Sequence, residues 1–281
     1  MSEIGQITGV FRYPVKSMLG EELESTVLGV NGIPGDRAWG VRDEQRADFF
    51  TGKRCAPLMS CSAAYADPSD TSSAPQVRLP DGGTFPADAK DAGARIAAAI
   101  DRDVTLWPVV AEARRARPKD DVNVLQEIQG LLAREGGERV PDLSNPQPEL
   151  LEVYARGGPF FDAFPIMLIT SRSIESIAAA APDSQIDDRR FRPNLLLETS
   201  EPGAFPEQEW IGLRIQVGDA TLKIQSTCMR CVMTTHGFAD VPKDTRVMRT
   251  LVKEAEGNLG VYATVEVEGE ARRGDSVVLL D

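Results

Sequence analysis

Ile7-Thr8-Gly9-Val10-Phe11-Arg12-Tyr13 is a run of β-branched and aromatic residues that stops at Pro14, which has no N–H to give to a sheet. Residues 24–30 and Ala38-Trp39-Gly40-Val41-Arg42 repeat the pattern, with Gly, Asn and Pro clusters between them that mark turns. Residues 5–65 therefore read as one compact β unit. Further on, Asp81-Gly82-Gly83 predicts a hairpin over residues 79–86, the two glycines supplying positive φ. Residues 88–100 have helical spacing through Ile96, Ala97 and Ile100, with Asp88 as N-cap, and Val104-Thr105-Leu106-Trp107 reads as a strand.

The pattern loosens between Ala111 and Pro148. Val124, Ile128, Leu131 and Leu132 place an amphipathic helix over residues 122–134, closed by Gly136-Gly137. The basic run Arg114-Arg115-Ala116-Arg117 before it reads as a solvated face. From Leu150 the apolar strand Ile166-Met167-Leu168-Ile169 leads into a helix capped by Thr170 or Ser171. Leu195-Leu196-Leu197 is another strand, and residues 210–217, 220–226, 260–267 and 276–280 alternate as strands, Gly274-Asp275 making the last hairpin turn. The fold class is mostly β with α+β additions: a β unit over 1–110, a connector or lid over 111–149 and a second β unit over 150–281.

Composition narrows the functions. A formal net charge of -12 on 281 residues opposes a grip on nucleic acid or on an anionic membrane surface. Four cysteines are too few for a disulfide scaffold. The first residues show no basic-then-apolar signal, and no apolar run approaches the ~20 residues of a membrane helix. A cytoplasmic protein is expected. The single histidine, His236, leaves no room for a histidine-rich zinc site, and no Gly-rich phosphate loop is present.

The chemistry concentrates in Cys228-Met229-Arg230-Cys231-Val232-Met233-Thr234-Thr235. A thiolate is a soft metal ligand and a nucleophile, and a neighbouring guanidinium favours it. On its own a Cys-x-x-Cys is more often a pair of small buried apolar residues on a strand. Lys16 and Ser17 follow the first strand in a loop, and Arg37 opens a later one, a set that can give charge-assisted hydrogen bonds to a phosphate. Alone, Lys16 is a solvated lysine and Arg37 the partner of Asp36. Asp187-Asp188-Arg189-Arg190-Phe191-Arg192-Pro193-Asn194 is the densest positive charge near the later strands and suits an anion, or simply neutralises its own aspartates.

In chain order, Tyr13-Pro14-Val15-Lys16-Ser17, Gly35-Asp36-Arg37-Ala38-Trp39, Asp162-Ala163-Phe164-Pro165, Arg190-Phe191-Arg192-Pro193-Asn194 and Arg230-Cys231-Val232-Met233-Thr234-Thr235 resemble the motifs of a MOSC N-terminal β-barrel domain followed by a MOSC domain. Leu259-Gly260-Val261-Tyr262-Ala263 and Arg273-Gly274-Asp275-Ser276-Val277 extend the resemblance, which is to the arrangement of the mitochondrial amidoxime-reducing component and of molybdenum cofactor sulfurase C-terminal regions. It implies an N-terminal β-barrel-like domain, a β-barrel MOSC domain and a molybdenum cofactor (Mo-molybdopterin). Cys231 would be the metal ligand and a catalytic residue, with Cys228 a supporting thiol, and Asp162 the acid beside the metal. Lys16, Ser17 and Arg37 would hold the pterin's phosphate; Arg190, Arg192, Asn194, Thr234 and Thr235 would contact the cofactor.

The implied activity is a two-electron reduction of an N-hydroxylated or other N-oxygenated small molecule. The chain has no ferredoxin-like cysteine set, hence no iron-sulfur cluster of its own, and the electrons would come from a separate flavoprotein or ferredoxin-like donor. The alternative is a molybdenum cofactor or sulfur carrier that uses a Cys231 persulfide. Where the family's reductases follow the paired threonines with a pattern like Thr-Val-Asp-Pro, this sequence has Thr235-His236-Gly237-Phe238.

Overall fold

Ile4 and Ile7 both point into the core from the strand Ser2–Arg12 (β1), although a strict two-residue period would put them on opposite faces. The register shifts between Glu3 and Gly5 and again between Ile7 and Gly9, and such bulges turn the strand enough to bury both. The structure is a computed structural model and describes residues 1–46, 48–49, 51–109, 129–135, 138, 147–156 and 158–280.

After β1 come Glu21–Leu23 (β2), Ser25–Leu28 (β3), Trp39–Asp43 (β4), Asp48–Phe49 (β5), Ser62–Ala64 (β6), Gln76–Arg78 (β7), Thr84–Pro86 (β8), helix Ala92–Ile100 (α1) and Val104–Pro108 (β9). The later part holds helix Pro148–Arg156 (α2), Ile166–Thr170 (β10), helix Ser171–Ala180 (α3), Leu195–Glu198 (β11), Arg214–Val217 (β12) and Ala220–Met229 (β13). Helix Arg246–Ala255 (α4), Asn258–Val267 (β14), Gly269–Arg272 (β15) and Ser276–Leu279 (β16) complete it.

The later strands close into a barrel only with help from the first. Its order is β11-β10-β14-β13-β12-β16-β1, and the β1–β11 pairing shuts the ring. Val10 pairs with Leu195 of β11 on one side and Leu23 of β2 on the other, so β1 is bonded along both edges and no barrel edge is left open there. Ile4, Ile7 and Val10 share the barrel core with Leu168, Leu222 and Val261. A second core lies under the small sheets β5-β4-β9 and β6-β7-β8, where Val41, Leu58, Val77 and Val104 meet Ile96 of α1. A third forms outside the barrel, where Ile177 of α3 and Val247, Met248 and Leu251 of α4 cover Met167, Cys228 and Leu259.

The expected strands at 7–13, 24–30, 38–42, 104–107, 166–169 and 195–197 are present with shifted ends: the first begins at Ser2, the second is trimmed to Ser25–Leu28, and the last three run one residue further. Several details differ. Helix α1 starts at Ala92 after Asp91, not at Asp88, because the turn bonds Ala89 N to Pro86 O and Ala92 N to Ala89 O occupy that stretch. In the hairpin turn only Gly82 takes a positive φ. The stretch Pro206–Trp210 is a 3₁₀ turn, and the strand expected from 210 begins at Arg214. Gly274-Asp275 is no hairpin turn, since β15 pairs with β3 while β16 pairs with β12 and β1; its backbone instead exchanges bonds with Ile7. Helices α2 and α4 were not foreseen. The helix expected over 122–134 lies outside the described residues up to 128, as do Arg114–Arg117 and Gly136-Gly137. Among the described residues no helix is long and apolar enough to cross a membrane.

Candidate functional site

Cys231 sits where β13 runs out of sheet. The strand ends at Met229, and Cys231, extended at φ -126 and ψ 177, caps the start of the 3₁₀ turn Val232–Thr235. Thr234 fastens that turn by giving its N–H, at 3.1 Å, and its hydroxyl, at 3.0 Å, to the Cys231 carbonyl. Of the four cysteines, Cys55, Cys61 and Cys228 are buried and only Cys231 is partly exposed. Cys55 and Cys61 belong to the core under the small sheets and Cys228 to the core under α4, and among the described residues no cluster of three or more metal-ligating side chains exists.

Among the described residues, the thiol opens on a cleft with five cations on its wall, Arg37, Lys53, Arg190, Arg192 and Arg230, against one acid, Asp162. Asn194, Thr234, Met167, Phe164 and Tyr262 complete most of the lining. Its room is about 80 Å³, space for two or three waters or one small anion at ~30 Å³ per water. A larger ligand requires side chains on the wall to move.

At and behind the cleft wall, three non-glycine residues are held in the left-handed region: Ser17 at φ 71, Arg37 at φ 50 and Arg192 at φ 55. Such backbone costs about 1–3 kcal/mol each and persists where surroundings enforce it. Here the surroundings are a shared network. Asp36, fully buried, accepts from Tyr13 N at 2.7 Å and Asn194 Nδ2 at 3.1 Å and pairs with Arg37. The Arg37 and Arg192 guanidiniums lie over the Tyr13 ring at 4.9 and 4.2 Å, and Arg192 donates to the Met18 carbonyl. Burial first, then the Arg37 charge, brings Arg192 down to about 10, so it remains a cation at neutral pH.

Asp162 ties the other side. Its Oδ1 receives Lys16 Nζ at 2.9 Å and has Lys53 Nζ at 3.9 Å. Burial would raise its carboxyl, but the charges of Lys16, Lys53 and Arg37 outweigh it and hold Asp162 well below the usual range. Lys16 is pulled down by burial, with Asp162 working the other way. Burial likewise pushes the Cys231 thiol up, against the Lys53 charge. The guanidinium expected beside a thiol is there, but on the other cysteine: Arg230 Nη1 donates to Cys228 Sγ at 2.8 Å.

Arg37, Asp162, Arg190, Arg192, Asn194, Cys231 and Thr234 are thus brought to one cleft. Lys16 and Ser17 stand behind its wall, Lys16 on Asp162 and on the Phe160 carbonyl at 2.8 Å, Ser17 Oγ accepting from Gly52 N at 2.7 Å. Thr235 is buried and donates to the Val232 carbonyl at 2.7 Å. Arg190 is fully buried, its donors on the carbonyls of Gln185, Thr234, His236 and Pro242, so it holds the turn that carries Cys231. His236 faces the Gly52 carbonyl through Nε2 at 3.0 Å. Sequence reading missed Lys53 and Tyr262, and saw Arg230 only as a neighbour of the thiols, not as part of the cleft wall. Gly52-Lys53-Arg54 just before Cys55 was a signal for the first, a glycine and two cations in a short loop.

The donor set suits an anionic cofactor with a soft metal. It offers one accessible sulfur, a cationic wall and a buried Arg230 Nε with no hydrogen-bond partner among the described residues, and a buried donor of that kind is costly unless a ligand meets it.

Compared with known families, residues 4–124 match the MOSC N-terminal beta barrel domain and residues 156–278 the MOSC domain. Among curated proteins, the chain is 24% identical over 319 residues to mitochondrial amidoxime-reducing component 1 of Mus musculus, covering 100% of this chain and 84% of that protein. Among solved structures, the YUAD protein from Bacillus subtilis is similar at a TM-score of 0.44 and 13% identity, over 97% of this chain and 93% of that one. YiiM from Geobacillus stearothermophilus follows at 0.31 and 14%, over 42% and 55%. Neither structural likeness carries any part of the functional reading.

Proposed function

The chain is a MOSC domain protein with a MOSC N-terminal β-barrel domain, and from that premise we propose a molybdenum-cofactor-binding oxidoreductase that reduces N-hydroxylated or other N-oxygenated small molecules. The observation that carries the proposal is the partly exposed Cys231 thiol opening on a cleft of five cations and one acid. The net step is R–NH–OH plus two electrons and two protons to R–NH₂ plus water, with the electrons from a separate flavoprotein or ferredoxin-like donor. The cofactor, when bound, supplies the two-electron redox centre.

This chain's residues do the rest. Cys231 binds the metal with its sulfur, and the Val232–Thr235 turn fixes its direction. Arg37, Arg192 and Asn194 present a positive, hydrogen-bonding wall to the pterin and its phosphate, aided by Lys16, Ser17, Thr234 and Thr235 behind or beside it. Asp162, kept ionised by the lysines beside it, is an acceptor and orienting group. Lys16, whose proton is loosened by burial and which touches Asp162 at 2.9 Å, is the proton-bearing member of the pair. The test is reduction of an N-hydroxylated substrate by molybdenum-loaded protein with a reduced viologen dye. Turnover abolished by Cys231→Ala supports the reading; fully loaded protein that reduces no N-oxygenated compound ends it.

The small room of the cleft, about 80 Å³, favours a second reading, a sulfur carrier with a persulfide on Cys231. Sulfur transfer by the wild type, lost in Cys231→Ser and unaccompanied by any reductase activity, would establish it.

A further inference from the structure

His236, the single histidine of the chain, takes no part in the proposed chemistry, and it stands where the sequence leaves the family's Thr-Val-Asp-Pro pattern. Its backbone belongs to the turn that carries Cys231. His236 N donates to the Met233 carbonyl at 3.1 Å, and the His236 carbonyl accepts from Arg190 Nη1 at 3.0 Å. Its ring leaves the turn and reaches the Gly52 carbonyl through Nε2 at 3.0 Å. A carbonyl oxygen only accepts, so Nε2 carries the hydrogen, and burial pushes the imidazole below its ordinary value and keeps it neutral at pH 7.

Gly52 is gripped through both of its backbone groups. Its N–H donates to Ser17 Oγ at 2.7 Å, beside Lys16, which holds Asp162 Oδ1 at 2.9 Å. A Cβ on Gly52 would lie 2.6 Å from the Met233 methyl, so the glycine lets its loop lie against the Val232–Thr235 turn. Ser17 and Gly52 fall within residues 4–124, which match the N-terminal barrel domain, whereas Met233 and His236 fall within 156–278, which match the MOSC domain. The His236–Gly52 bond therefore ties the two regions together at the cleft, where Cys231 and Met233 both line the wall. Gly52 is buried and His236 only 9% exposed, so the bond is sheltered from water.

We infer that His236 is a positioning residue: its imidazole pins the Gly52 loop to the turn bearing Cys231 and so sets how far the cleft opens around that thiol. Arg190 and Thr234 hold the turn itself, so removing the ring frees the loop without dissolving the turn. A buried Gly52 carbonyl without a partner is costly, which favours states in which the loop lifts and that carbonyl meets water. The consequence, that a cleft fixed in this way retains its cofactor, rests on the reading of Cys231 as the metal-binding sulfur.

The experiment measures alkylation by iodoacetamide, located by peptide mass spectrometry, in wild type, His236→Leu and His236→Gln, each as the full chain made in a host that does not synthesise the pterin. Leucine keeps bulk without a donor, and the glutamine Nε2 restores the donor. Cys231, the one partly exposed cysteine, reacts first in wild type. His236→Leu is expected to speed its alkylation about five- to tenfold, with Cys55, Cys61 and Cys228 as slow as in wild type, and His236→Gln to return it near the wild-type rate. An unchanged Cys231 rate in His236→Leu overturns the inference. So does a rise shared by all four cysteines, which marks a general loss of stability, or a glutamine variant as fast as the leucine one. In cofactor-loaded protein, faster release of molybdenum on dialysis from His236→Leu, and not from His236→Gln, is the matching result, and equal release by all three contradicts it. Chains that take up no molybdenum end the cofactor reading alone, with alkylation still deciding His236.

Discussion

Glu207 is fully buried and receives hydrogen bonds from Thr170 Oγ1 at 2.8 Å and Ser173 Oγ at 2.6 Å. Burial raises its carboxyl despite those hydroxyls. The folded chain then keeps a proton that the unfolded chain has already released, so stability falls as pH climbs from the ordinary glutamate range through the raised value. Glu207→Gln keeps the shape and removes the titration. Melting curves are expected to show the variant gaining on wild type between pH 5 and pH 8, and a gap that stays constant over that interval contradicts the account. Arg190 makes a complementary case. Removing a buried guanidinium that satisfies four carbonyls leaves them unpaired, and Arg190→Met should cost about 3 kcal/mol or more in denaturant unfolding; a loss under 1 kcal/mol would show that the carbonyls find other partners. At this scale the sequence showed which residues have chemistry but not whom they touch. Arg230 was visible beside two thiols, yet which thiol it would take depended on the strand ending at Met229, since Cys228 still lies in β13 and Cys231 beyond it.

Helix α4 shows what can be read at the scale of an element. Val247, Met248, Leu251 and Val252 repeat at helical spacing and face Cys228 and Leu259, so the signal was present. It was overlooked because the flanking segments read so consistently as strands. The start of α4 is set by Asp244, whose Oδ1 accepts from Arg246 N at 2.9 Å and whose side chain also pairs with the Arg246 guanidinium. Asp244→Ala is expected to cost about 1 kcal/mol and, because α4 packs beside the turn carrying Cys231, to loosen that turn in hydrogen exchange; unchanged exchange there would separate the two elements. Strands were legible where a short apolar run stands between turn signals, as at 166–169, buried throughout. Boundaries were lost where bulges or 3₁₀ turns intervene, at Pro206–Trp210 and around Asp91, because those depend on backbone bonds that no residue type announces.

For the whole molecule the decisive strand is β1. It belongs to the residues that match the N-terminal barrel domain, yet it closes the seven-stranded barrel by pairing with β11 and β16. Ile4, Ile7 and Val10 in the barrel core contribute about 1.5–3 kcal/mol each by burial, and their loss opens two strand edges as well. A fragment starting at residue 147 is therefore expected to lack cooperative unfolding and to regain it when the 1–110 piece is supplied, as read by circular dichroism; a fragment that melts cooperatively by itself contradicts this. The order of motifs disclosed two β units, but not that the first lends its opening strand to the second, since alternation within β1 carries no label of its partner. The same threading brings Arg37 and Lys53 from the early loops to Cys231 and Asn194 from the late ones, and it is that meeting which the cofactor proposal requires. Molybdenum and pterin content per chain, measured by elemental analysis and by fluorescence of the oxidised pterin on protein made in a host that synthesises the cofactor, tests it most directly. Near-stoichiometric metal and pterin in wild type, with the metal lost or its spectrum altered in Cys231→Ala, is the predicted result; well-folded wild type with neither contradicts it.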